Sequence, residues 1–273
     1  MICNHNGRFI HPDEAVATPR DGAWLYGDTL FETMKACAGE IRFRPQHLDR
    51  IEVSARRLAF PFARERILEA LDRTLQQAGA GTWKIRLTVS RGAFTGLTLP
   101  PQDHGHFLIE VDPARLPATD DYQQGVACVL APNRRVNPLS HLPQMKRGNY
   151  ADCLYAADFA RRHGAREALF VGVDDLLLEG ATSNLFLVRD NLLVTPELGD
   201  LVLPGIIRAR VLELAGEWGL RTEQRAVRLE ELHTADEAFL TNSLIDALPI
   251  ASVEGREIGT GPLTQKFRDA LQK

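Results

Sequence analysis

Gln144-Met145-Lys146-Arg147-Gly148-Asn149-Tyr150 is the stretch on which the reading of this chain turns. It lies between a proline-rich loop and a helix-like segment. Its lysine stands out because lysine is scarce: only Lys35, Lys84, Lys146, Lys266 and Lys273 occur, and arginine does nearly all the other cationic work. Lys266 and Lys273 fall in a polar C-terminal stretch that reads as solvated. Lys84 sits in Trp83-Lys84-Ile85-Arg86-Leu87-Thr88-Val89, where alternation puts it on the polar face of a strand. Lys35 follows a Phe-Glu-Thr-Met run that is a candidate site segment. Lys146 keeps two readings, a surface lysine at a helix start or a reactive amine.

Working outward, two later stretches give the second reading its company. Glu179-Gly180-Ala181-Thr182-Ser183-Asn184-Leu185-Phe186 places an acid on a turn, and Leu203-Pro204-Gly205-Ile206-Ile207-Arg208 opens an amphipathic run. Pro and Gly at a helix start leave backbone N–H groups free for an anion. An amine, an acid and an anion-binding helix start are the parts a pyridoxal phosphate enzyme needs: covalent anchor, ring-nitrogen partner and phosphate cradle. Asn242-Ser243, after a strand at 237–241, adds donors. Arg50 lies off the apolar stripe of its helix, either solvated or a bidentate partner for a phosphate. Tyr150, four residues after Lys146, is expected on the same helical face, as a core tyrosine or a partner of the cofactor's phenolate oxygen.

At 273 residues and net charge −4, the chain reads as an ordinary globular protein of one or two domains, with neither nucleic acid nor an anionic membrane implied as partner. The N-terminus lacks the apolar core of a signal peptide, and no apolar run is long enough to span a bilayer. Cys3, Cys37, Cys128 and Cys153 are scattered without a CxxC pair and read as reduced thiols of a cytoplasmic protein. His104-Gly105-His106 has no third ligand nearby and reads as loop histidines, with no metal.

The first half reads as α+β. Ile41-Arg42-Phe43 is strand-like, and Pro45 opens a helix with Leu48, Ile51, Ala55 and Leu58 on one face. Ile67, Leu71, Leu75 and Ala78 mark a second helix, ended by Gly79-Ala80-Gly81. Strands follow at 84–90 and 107–111. The stretch from Pro113 to Gln124 looks like a linker. Beyond it come strands at 126–130, 168–173, 185–188, 192–195 and 238–241, with helices near 146–163 and 205–218. The division expected is a small α+β domain over 1–118, a linker at 119–125 and a larger β-rich domain over 126–273, with the cofactor between the two domains.

With these residues in view, the chain resembles the class IV aminotransferases, the fold-type IV pyridoxal 5'-phosphate enzymes. That family includes branched-chain and D-amino acid aminotransferases, (R)-amine transaminases and 4-amino-4-deoxychorismate lyases. The resemblance runs through Tyr26-Gly27-Asp28, Phe31-Glu32-Thr33, His47-Leu48-Asp49-Arg50, Lys146 to Tyr150, Glu179 to Phe186, Leu203 to Arg208 and Thr241 to Pro249. It implies a two-domain α+β fold in which Lys146 carries the cofactor, Glu179 meets its ring nitrogen and Tyr150 its phenolate. Arg50, the backbone at Ile206 and Ile207, and Asn242 or Ser243 would hold the phosphate. It also implies a small amino substrate and a homodimer. Three features resemble the lyases: Thr33, where those enzymes often carry a catalytic threonine; Thr241-Asn242-Ser243-Leu244; and Arg91-Gly92-Ala93-Phe94-Thr95-Gly96, which lacks the Arg-x-His trap of D-amino acid transaminases. Gly148-Asn149-Tyr150 after Lys146 is similar to the transaminases instead.

Overall fold

Two sheets with helices against them make a mixed α+β protein, seen in a computed structural model that describes residues 1–14, 17–96, 98–135, 145–199 and 201–272. The proline-rich stretch before Lys146, with Gln144, and Lys273 lie outside the described residues. The chain divides into two compact units, Met1–Arg115 with Met145–Tyr150, and Leu116–Gln144 with Ala151–Lys273. The Lys146 segment therefore clusters with the N-terminal unit, although it comes from the middle of the sequence.

In the first unit, β1 (Ile2–His5), β2 (Arg8–Ile10), β3 (Thr29–Cys37), β4 (Glu40–Ile41), β5 (Thr82–Ser90) and β6 (His106–Pro113) form an antiparallel sheet in the order β2-β1-β6-β5-β3-β4. A short helix, α1 (Gly22–Tyr26), precedes β3, and α2 (Arg44–Leu58) and α3 (Arg64–Ala78) follow β4. Leu48, Ile51 and Ala55 of α2 and Ile67, Leu71 and Leu75 of α3 pack with Leu30, Met34, Ile85, Leu87, Ile109 and Val111 of the strands. Strand alternation sends Phe31, Thr33 and Lys35 of β3 and Arg86 of β5 to the opposite face, where Thr33 pairs across to Arg86 and Arg86 to Glu110. The strand expected at Ile41-Arg42-Phe43 stops at Ile41, because Phe43 turns left-handed (φ 52°) immediately ahead of α2. Burial along β3 is nearly continuous, which hides the alternation that would have announced it as a strand.

The second unit starts with α4 (Thr119–Gln124), inside the stretch expected to be a linker. It continues through β7 (Val126–Leu130), α5 (Ala151–Arg162), β8 (Glu167–Val171), β9 (Leu176–Gly180), β10 (Asn184–Arg189), β11 (Leu192–Pro196), α6 (Ile206–Glu217), β12 (Arg221–Arg225), β13 (Val227–Arg228) and α7 (Leu229–Leu232). It closes with β14 (Glu237–Asn242), β15 (Asp246–Val253), β16 (Arg256–Glu257) and α8 (Pro262–Leu271). The sheet order is β12-β11-β10-β14-β15-β7-β8-β9-β13, with β16 paired to β15. Leu169, Leu185, Leu187, Leu240, Leu248 and Ile250 are among its core. The polar C-terminal stretch is helical. It forms α8, which buries Phe267 and Leu271 and leaves Lys266 exposed, its Nζ 4.0 Å from the centre of the Trp218 ring.

Candidate active site

In the first unit, the Lys146 segment is held by backbone pairing to β3. Phe31 N donates to Lys146 O (3.0 Å) and Gly148 N to Thr29 O (2.9 Å), making Leu30 and Arg147 an antiparallel bridge. This corrects the expectation of one helical face for Lys146 and Tyr150: residues 145–150 are not helical, and α5 begins only at Ala151. The two side chains meet through an aromatic ring instead. Lys146 Nζ lies 4.5 Å from the Phe31 ring centre and 5.4 Å from that of Tyr150, and Tyr150 stands edge-on to Phe31 at 5.4 Å. Arg86 covers the same Phe31 ring at 3.9 Å. Burial lowers the Arg86 pKa, opposed by the charges of Glu110 and Tyr150. Thr33, half-buried, shares the Phe31 face of β3.

Arg50 is not solvated. Its Nε and Nη2 clasp the Glu32 carboxylate at 2.7 and 2.6 Å, and His47 Nδ1 lies 2.7 Å from Glu32 Oε2. Burial on its own raises Glu32's proton affinity, but the Arg50 charge and the bonds from His47 and Arg50 overcome it and hold the pKa at about 2. A second bridge fixes the loop: Asp28 accepts from Arg91 Nε (2.7 Å) and Arg147 Nη2 (3.3 Å), and Arg91 lies 3.7 Å over the Phe60 ring. His106, expected in a loop, is the first residue of β6. Its Nε2 is 2.7 Å from Asp21 Oδ2, and Asp21 caps α1. Among the described residues no group of three or more His, Cys, Asp or Glu side chains is arranged to hold a metal.

In the second unit, Glu179, next to last in β9, is buried with its carboxylate fixed. Oε2 accepts from Asn184 Nδ2 (3.1 Å) and Leu203 N (2.9 Å), and Oε1 faces Arg135 Nε at 3.4 Å. Arg135 is in turn bound to Asp152 Oδ2 at 2.6 Å. The turn after Glu179 is tied down by buried Glu167, which accepts from Thr182 Oγ1 (2.7 Å) and Ser183 Oγ (2.9 Å). Asn184 also donates to Leu203 O (2.9 Å), so one side chain joins the Glu179 strand to the start of α6. Gly205 is required there, since a Cβ would come 1.9 Å from Asn184 Oδ1. The first bond of α6 runs from Ala209 N to Gly205 O, which leaves the N–H groups of Ile206, Ile207 and Arg208 without intrahelical acceptors. The Ile207 side chain is buried, so only its backbone can serve a ligand. Arg208 is buried with Nε unpartnered, and its burial takes the pKa down to about 10, opposed by Glu179. Asn242 is engaged in its own turn, accepting from Leu244 N and Ile245 N and donating to Thr182 O; Ser243 follows it.

Lys146, Thr33, Arg50 and Tyr150 thus belong to the first unit, and Glu179, Ile206, Ile207, Asn242 and Ser243 to the second. The sequence reading missed Arg86, Arg135, Asp152 and the joint held by Asn184. Alternation along β5 was a signal for Arg86; nothing in spacing marked Arg135 or Asp152.

Residues 29–253 match the amino-transferase class IV family, and the chain belongs to it. A Methanocaldococcus jannaschii protein provisionally named a branched-chain-amino-acid aminotransferase is 31% identical, over 98% of this chain and 96% of its own. The solved branched-chain amino acid aminotransferase of Escherichia coli superposes with a TM-score of 0.91 at 26% identity, covering 99% of this chain and 93% of that one. The 4-amino-4-deoxychorismate lyase of Pseudomonas aeruginosa superposes with a TM-score of 0.88 at 31% identity, covering 99% and 98%. The family works with pyridoxal 5'-phosphate. Each unit offers groups whose chemistry fits that coenzyme: in the first, an amine beside two aromatic rings; in the second, a carboxylate anchored on both oxygens and a helix start whose glycine cannot be replaced without displacing Asn184.

Proposed function

We propose that the chain is a pyridoxal-phosphate-dependent lyase that converts 4-amino-4-deoxychorismate to 4-aminobenzoate and pyruvate, a step towards folate. The observation that carries this reading is Thr33, a hydroxyl on the β3 face shared by Phe31, whose ring neighbours Lys146 Nζ. The lyase of Pseudomonas aeruginosa, matched over almost its whole length, adds support.

In this reading Lys146, Glu179 and Tyr150 serve one coenzyme, with Arg50, the Ile206 and Ile207 backbone, and Asn242 or Ser243 at its phosphate. When bound, the coenzyme supplies an aldehyde that captures the substrate amine and a ring that takes up the electrons released at the adjacent carbon. Lys146 Nζ is the covalent anchor and then the base that takes the proton from substrate C4. The Glu179 carboxylate would hold a proton at the ring nitrogen, and the Tyr150 hydroxyl would donate to the phenolate oxygen. Thr33 Oγ1 would hand a proton to the enolpyruvyl oxygen as the C3–O bond breaks, the proton taken by Lys146 would restore the hydroxyl, and the released enolpyruvate would tautomerise to pyruvate. Arg86, stacked on Phe31, orients a substrate carboxylate. The substrate ring becomes aromatic and its amine leaves with the 4-aminobenzoate, so no amino acceptor is required.

The second reading is transamination, favoured by Gly148-Asn149-Tyr150 and by the aminotransferase relatives. It would use the same base, Lys146; the coenzyme would keep the substrate's amino group, water would supply the oxygen of the released keto acid, and a second keto acid would be needed to take the amino group away. Supplying aminodeoxychorismate with no keto acid separates the two. Formation of 4-aminobenzoate is expected. Its absence, with rapid conversion of the coenzyme to its amine form by D- or L-amino acids, would replace the lyase by the transaminase. Thr33→Ala is expected to cut elimination more than half-transamination.

A further inference from the structure

Two arginines, Arg135 and Arg208, lie near Glu179. Arg135 Nε lies 3.4 Å from Oε1, and Arg208 on α6 is close enough for its charge to be felt. The groups facing this pair are Asp152 and Cys153 at the start of α5, Asn184 on β10 and the Leu203 N–H. Of the two arginines, Arg135 alone is braced by a second acid, Asp152, at 2.6 Å, and the Asp152 side chain is itself held by the Cys153 N–H at 2.9 Å. Burial would weaken the Arg135 charge, but Cys153, Glu179 and Asp152 more than offset it, so the guanidinium stays cationic.

We propose that Arg135, anchored by Asp152, is a positioning residue that keeps Glu179 an ionised acceptor for the proton on the coenzyme's ring nitrogen. This rests on the assignment of Glu179 to that nitrogen. A buried carboxylate next to a neutral partner tends to take the shared proton for itself, because burial disfavours its charged form. A cation in contact with the carboxylate stabilises it more than it disturbs a ring nitrogen farther away, since the Coulomb term falls with distance. The proton therefore remains on the nitrogen, where it makes the ring a better electron acceptor. Asp152 matters because it holds the Arg135 guanidinium beside Oε1.

The test is the nitrogen-15 NMR shift of the ring nitrogen in the purified protein loaded with ring-15N pyridoxal phosphate. The wild type is expected to show the protonated position near neutral pH, and Glu179→Gln the unprotonated one. Arg135→Gln and Asp152→Asn are each expected to move the signal towards the unprotonated position, with the proton-sharing ratio changed by about tenfold or more. Arg135→Lys should stay nearer the wild type. Asp152→Asn retains the cation and guards against misfolding of Arg135→Gln. A merely structural role would lower coenzyme occupancy and leave the shift of the bound fraction where it was. If both variants keep the wild-type shift while Glu179→Gln loses it, the role of Arg135 is wrong. If Glu179→Gln also keeps it, the assignment of Glu179 falls and this proposal with it.

Discussion

Lys146 has an aromatic neighbourhood, with Phe31 and Tyr150 rings within 4.5 and 5.4 Å of its amine. Lys146→Ala is expected to abolish the visible absorbance of the bound coenzyme and the adduct trapped by borohydride; a persisting reducible adduct would place the covalent link elsewhere. Arg86 is the cation sharing that ring, so Arg86→Met should raise KM for a carboxylate-bearing substrate by about tenfold or more, with a smaller change in kcat, as expected for loss of a charged hydrogen bond. Steady-state kinetics check the split. Glu32 gives a pH prediction. Its pKa in the fold is about 2 against an ordinary 4.5, so its contribution to stability is complete above about 4.5 and is lost as the pH falls through about 2. That contribution is at most about 3 kcal/mol. Thermal unfolding between pH 2 and 7 should show a shallower acid-side fall for Glu32→Gln than for the wild type; parallel curves would mean that Glu32 is not the linked group.

At the scale of elements, the first-unit site depends on a segment docked against a strand. Gly148 approaches β3 so closely that a Cβ would stand 2.0 Å from Thr29 Oγ1 and 3.0 Å from Gly27 O. Gly148→Ala is therefore expected to cost about 1–3 kcal/mol and to loosen the pairing that places Lys146. Adding Thr29→Ala removes the nearer obstacle and should recover part of the loss, a coupling that a double-mutant cycle of unfolding free energies measures. Additive losses would show that the contact is not the cause. Tyr150 was expected to share a helical face with Lys146. The residues do converge, but through Phe31, because the Lys146 segment pairs with β3 instead of forming a helix. The stripes of α2 and α3 were legible since each buries one face against one sheet. β3 was not, because its burial runs almost without interruption.

At the scale of the whole molecule, the family resemblance implies a homodimer, and each unit has large apolar side chains exposed of the kind such contacts use: Trp24, Leu25 and Tyr26 in the first, Leu154 and Tyr155 in the second. Sedimentation is expected to give twice the chain mass, and the pair Leu154→Glu, Tyr155→Glu to lower it; a monomeric wild type would refute this. The sequence by itself determined the family, and it singled out Lys146, Glu179 and the Pro-Gly helix start as candidates, because these depend on residue identity and local spacing. Only the tertiary structure decided that Arg50 is clasped by Glu32, that Arg86 stands on the ring beside Lys146, and that Arg135 and Asp152 brace Glu179. Those partners lie 18, 60, 44 and 27 positions from the residues they serve. No helical or strand period connects such distances; backbone pairing and the packing of each core bring them together.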